Sequence, residues 1–95
     1  MQINLVTSNL GKVKEFKIIL GNDIKINHIK REYKELRSDS SEEIARESAK
    51  RLAKEMQIPV VVEDSGLFIK ALNDFPGTCS SYIHKRIGLK GILKL

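Results

Sequence analysis

Three valines, Val60–Val62, stand between a proline and two acids in the stretch PVVVED, residues 59–64. The run is too short and too β-branched for a helix, and apolar and polar positions do not alternate in it. Such a run fits a strand covered on both faces, as in a parallel or mixed sheet. This constrains the fold more than any other feature, because helices must then pack on both sides of the strand. The run also ends on adjacent carboxylates, Glu63 and Asp64. In open α/β sheets, ligands sit beyond the carboxyl ends of strands.

The other segments supply such a sheet. QINLVTS (2–8) reads as a strand with Ile3 and Leu5 on its apolar side. NLGKVKEFKIIL (9–20) reads as a helix, with Asn9 as N-cap and Val13, Phe16, Ile19 and Leu20 on one face. Gly21-Asn22-Asp23 closes it, and IKINHI (24–29) alternates as a second strand. Residues 30–37 are charged and carry no clear pattern. Residues 38–57 give the clearest helix, with Ile44, Ala45, Ser48, Ala49, Leu52, Ala53 and Met56 in one stripe. Pro59 ends it. GLFIKAL continues as strand or turn, Pro76-Gly77 marks a turn, and residues 80–95 read as a helix interrupted by Gly88 and Gly91. The order β-α-β-α-β-(β)-α predicts an α/β fold, a layered mixed sheet flanked by helices. Ile87, Leu89, Ile92, Leu93 and Leu95 carry an apolar pattern to the last residue, so the sheet edges and this helix face need covering. The expectation is the first part of a larger fold.

At 95 residues, with 41% hydrophobic and 31% charged residues, the chain is expected to be a single globular domain. No apolar run has the length of a membrane span, and no secretory leader is expected. The single cysteine, Cys79, excludes an internal disulfide and a multi-thiolate zinc site. These features predict a soluble, cytoplasmic protein. Cys79 reads as a small apolar filler, His28 as partly buried in phase with Ile24 and Ile26, and His84 as exposed. The net charge of +5 suits an anionic partner. With aromatics at 5% and acids interleaved among the basic residues, nucleic acid is the weaker choice of partner.

Three groups of residues could carry chemistry. Thr7, Ser8, Asn9, Lys12 and Glu15 lie at a strand-to-helix junction, where free N–H groups and a positive helix end favour anions. The plain alternative is an Asn9 cap with solvated charges. Glu43 lies three residues after Ser40 and fits a capping box. Asp39 and Glu42 have the same spacing and could cap instead, leaving Glu43 for a metal, with Lys50 and Lys54 on nearly the same face. Glu63, Asp64, Ser65 and Gly66 follow the valine run. Carboxylates there are hard oxygen ligands of the kind Mg²⁺ accepts, or one of them could take a proton from attacking water. The alternative is a solvent-facing turn.

TSNLGKVKEF, SDSSEEIARESAKRLAKE and PVVVEDSGLFIKALNDFPGTCS, in that order, resemble the inosine triphosphate pyrophosphatase family. The resemblance covers residues 3–88 and corresponds to the N-terminal part of the ITPase-like fold. It implies hydrolysis of the non-standard purine triphosphates ITP, dITP and XTP to monophosphate and pyrophosphate, with Mg²⁺ or Mn²⁺. Thr7, Ser8, Asn9 and Lys12 match the triphosphate-binding start, and Ser65 and Gly66 the turn that meets the nucleotide. Glu43 matches a metal-binding acid and Lys54 a catalytic, phosphate-binding lysine. Asp64 matches the acid that activates water or holds the metal, with Glu63 beside it as a further metal ligand. The open sheet and the apolar terminal helix predict self-association, as a homo-oligomer of the dimer type. Cys79 departs from the aromatic residue usual there. The family's purine-reading motifs, of the GYDP and SHR types, are absent from residues 1–95. The expectation is therefore a truncated domain with impaired activity. An inactive nucleotide- or phosphate-binding remnant, a related pyrophosphatase of the Maf group and a small basic nucleic-acid-binding protein stand as alternatives.

Overall fold

The structure is a computed structural model that describes residues 1–95. The elements run β1 (Gln2–Val6), α1 (Leu10–Leu20), β2 (Lys25–Ile29), α2 (Ser41–Met56), β3 (Leu67–Ile69), a 3₁₀ turn (Lys70–Leu72), β4 (Phe75–Gly77) and α3 (Ser80–Leu93). The fold is mixed α/β, with two small sheets and three helices. The chain divides into two compact units, one of residues 1–36 with 45–63 and one of residues 37–44 with 64–95.

In the first unit, β1 and β2 pair in parallel from Gln2↔Lys25 to Val6↔Ile29. Parallel strands need a crossover, and α1 supplies it. Asn9 is extended (φ −94°, ψ 107°) and its side chain accepts from the Gly11 N–H at 2.8 Å, which starts the helix. Gly21 (φ 71°) ends it, donating its N–H to the Lys17 carbonyl at 3.1 Å. Leu5, Val6, Val13, Ser48 and Leu52 are buried and form the core of this unit. The apolar face expected of α1 is narrower than its spacing suggested. Val13 is buried, but Ile19 is 78% exposed.

The expected strand at residues 60–64 is not a full strand. Val61 alone bridges to Leu5, in parallel, through Val6 N–H to Val61 O at 3.0 Å and Val61 N–H to Asn4 O at 2.7 Å. Pro59 has no N–H to continue the ladder, and the Asn4 side-chain amide donates to its carbonyl instead, at 2.9 Å. Val60, Val61 and Val62 are half-buried, not covered on both faces.

In the second unit, β3 and β4 form an antiparallel hairpin paired Leu67↔Gly77, Phe68↔Pro76 and Ile69↔Phe75. Pro76 and Gly77, expected as a turn, are strand residues. The reversal falls earlier, at Asn73 and Asp74, which take positive φ of 53° and 69°. The backbones approach closely at Gly66, where a Cβ would collide with the Gly77 carbonyl. Ser80 Oγ fastens the hairpin to the head of α3, accepting from Leu67 N–H at 2.7 Å and donating to the Gly77 carbonyl at 2.5 Å. α3 breaks at Gly88 (φ 69°, ψ 176°), as expected, while Gly91 remains helical. Cys79 is exposed at the N-cap of α3, so it is not a packed filler. No helix is long and apolar enough to cross a membrane.

Candidate functional site

The junction of β1 and α1 is built by four hydrogen bonds. Thr7 N–H donates to the Ile29 carbonyl at 3.1 Å, which carries the parallel ladder one residue past β1. Thr7 Oγ1 accepts from Asn9 N–H at 3.1 Å, and Asn9 Oδ1 accepts from Gly11 N–H at 2.8 Å. His28 Nε2 meets the Thr7 carbonyl at 2.8 Å from β2. Short polar side chains thus fold the turn on itself, and α1 begins with no acid in its first turn. An anion there would meet a positive helix end with no acid from the first turn of α1 itself. Thr7 is half-buried, and Ser8 and Asn9 are exposed.

Lys12, in the first turn of α1, donates to Glu63 Oε1 at 2.7 Å and also pairs with Oε2. The two side chains are 27% and 25% exposed. The structure therefore brings together two of the expected site residues that are far apart in sequence. Lys54 is exposed near the end of α2. Two interactions fasten the charged segment before α2: Arg31 pairs with Glu55 at 2.5 Å, and the Arg51 guanidinium donates to the Lys34 carbonyl.

In the second unit, Ser40 caps α2 by accepting the Glu43 N–H at 3.2 Å. The Glu43 carboxylate does not return to Ser40 N–H, as it would in a full capping box. It accepts from Ser38 Oγ at 3.1 Å, and Ser38 Oγ also accepts Ser40 N–H at 3.1 Å. Asp64 is half-buried, and Ser65 and Gly66 are exposed. A pocket of about 330 Å³ in this unit is lined by Asp39, Phe68, Asn73, Phe75, Thr78 and Cys79, among others.

Neither unit gathers three His, Cys, Asp or Glu side chains into a metal cage. The carboxylates of Glu43 and Asp64, both in the second unit, are hard oxygen donors of the type Mg²⁺ accepts. That ion is usually held by one or two carboxylates, with water and substrate phosphates completing its shell. Two contributors to these arrangements were not expected from the sequence. Ser38 sits beside Glu43 with no spacing signal beyond the cap pattern. His28 was visible only as a polar residue in an apolar phase.

These features define a mixed α/β fold whose first unit groups polar and charged side chains just past the carboxyl end of β1. The chain belongs to the Ham1 family, whose model matches residues 3–95. It is 49% identical to a dITP/XTP pyrophosphatase of Methanopyrus kandleri over 100% of this chain and 51% of that protein. It is 44% identical to the dITP/XTP pyrophosphatase of Thermococcus kodakarensis, over 100% of this chain and 52% of the relative. For the dITP/XTP pyrophosphatase of Saccharolobus solfataricus the identity is 42%, over 100% and 50%. The chain spans about half the length of the curated relatives it matches.

Proposed function

We propose that this chain acts in the hydrolysis of non-standard purine nucleoside triphosphates, ITP, dITP and XTP, to monophosphate and pyrophosphate. The observation that carries this is the 49% identity to a dITP/XTP pyrophosphatase across the whole chain. Residues 1–95 are taken as one domain of the ITPase-like type, working as a cytoplasmic homodimer.

In this mechanism the triphosphate lies at the head of α1. Thr7, Ser8, Asn9 and Lys12 receive its oxygens, and Ser65 and Gly66 line the turn that meets the nucleotide. Asp64 takes the proton from a water that attacks the α-phosphorus. The new bond joins water oxygen to the α-phosphorus, the bond to the bridging α–β oxygen breaks, and pyrophosphate leaves with that oxygen. Lys12 and Lys54 balance the charge that grows on the phosphate oxygens. Glu43, Glu63 and Asp64 would hold Mg²⁺ or Mn²⁺, which when bound neutralises phosphate charge. Lys12 must exchange its contact with Glu63 for one with phosphate.

The test is pyrophosphate release from ITP, dITP, XTP, GTP and ATP with Mg²⁺, for the wild type and Asp64→Asn. Expected is release from ITP, dITP and XTP, falling by at least about a hundredfold in Asp64→Asn. A folded chain that binds dITP without releasing pyrophosphate would replace this proposal with a phosphate-binding role that lacks turnover.

A further inference from the structure

We infer that His28 is a positioning residue for the turn between β1 and α1, fixing the direction in which the Ser8 N–H points. The inference rests on the proposed use of that turn for phosphate. His28 lies in β2, in register with Leu5 of β1, and its ring reaches past the end of β1 to the Thr7 carbonyl at 2.8 Å. A carbonyl oxygen only accepts hydrogen bonds, so Nε2 carries the proton and donates.

The consequence follows from peptide geometry. The unit joining Thr7 to Ser8 is planar and trans, so its C=O and N–H point in opposite directions. Holding the Thr7 carbonyl toward His28 turns the Ser8 N–H away from His28. Two neighbouring donors are already engaged: Asn9 N–H meets Thr7 Oγ1 and Gly11 N–H meets Asn9 Oδ1. Without the imidazole donor, rotation of that one peptide plane would re-aim the Ser8 N–H at little cost to the strand pairing, which rests on separate backbone bonds. His28 touches the turn's backbone and not the proposed ligand, so its effect on an anion acts through Ser8.

The test compares His28→Gln, whose amide keeps an N–H donor of similar reach, with His28→Leu, which has none. Tripolyphosphate is titrated into the 95-residue chain, followed by backbone amide NMR, with amide exchange of β2 as a fold control. His28→Leu is expected to weaken tripolyphosphate about tenfold, the equivalent of ~1.4 kcal/mol, with β2 exchange unchanged, and His28→Gln to restore most of the affinity. In the ligand-free protein the Ser8 amide resonance should move in His28→Leu and stay in place in His28→Gln. Equal behaviour of the two variants at Ser8, or an equal loss of β2 protection, would overturn the inference. The ligand-free comparison decides it even if the wild type takes up no tripolyphosphate, a result that would count against the proposed function alone.

Discussion

Lys12 and Glu63 are separated by 51 positions in the chain and meet at 2.7 Å, each about a quarter exposed. Two residues proposed to serve phosphate and metal are therefore paired with each other. Removing either one leaves the other half-buried without its partner. Lys12→Met and Glu63→Gln should each lower stability by about 1 kcal/mol. The double variant should lose less than the sum of the two. Urea midpoints for the four proteins of this cycle measure the coupling, and strict additivity would show that the pair contributes nothing.

Ser48 is fully buried in α2, and its hydroxyl has no hydrogen-bond partner. An unsatisfied buried hydroxyl costs stability, and alanine is the better helix former. Ser48→Ala should raise stability by about 1 kcal/mol, read as a higher urea midpoint with an unchanged slope. A loss of stability would mean that the hydroxyl has a partner.

Gly66 and Gly21 separate steric from conformational demand. At Gly66 a Cβ would strike the Gly77 carbonyl, whereas at Gly21 the space is open but φ is 71°. Gly66→Ala should cost on the order of 2 kcal/mol, because backbone must move. Gly21→Ala should cost about 1 kcal/mol from the left-handed conformation alone. Thermal melts of the two variants rank them, and a reversed order would contradict the close approach in the hairpin.

Leu52 is fully buried and Ile18 is 81% exposed, although both lie on helices. Leu52→Ala should cost about 3 kcal/mol. Ile18→Ala should change stability by less than about 0.5 kcal/mol. Equal effects would place the core elsewhere.

The local elements were legible in the sequence, because each carries its signal within a few residues. Asn9 announced the start of α1, and the stripe from Ile44 to Met56 announced α2. Residues 60–64 were misjudged for a physical reason. β-branched composition shows that a segment suits pairing, but not how much of a partner's edge is open to it, and here β1 engages only Val61. Pro76-Gly77 carries a turn signal, yet the hairpin reverses at Asn73-Asp74, where both residue types tolerate positive φ. Of the candidate site, the residues at the head of α1 were legible through capping chemistry. The meeting of Lys12 with Glu63 and of His28 with Thr7 was not, because contacts across the sheet leave no periodic trace along the chain.

The distance along the chain from β1 to its two neighbours also bears on how the chain assembles. Asn4 reaches Asn27 of β2 across 23 positions, but reaches Pro59 across 55. Each doubling of loop length adds roughly 0.6 kcal/mol to the entropy of closure, and distant contacts slow folding. Closing β1 onto β2 therefore costs less chain entropy than bringing the Val61 segment to the other edge of β1. Glu63 follows Val61 by two residues, so the ion pair with Lys12 spans that longer and costlier closure and ties it to the head of α1.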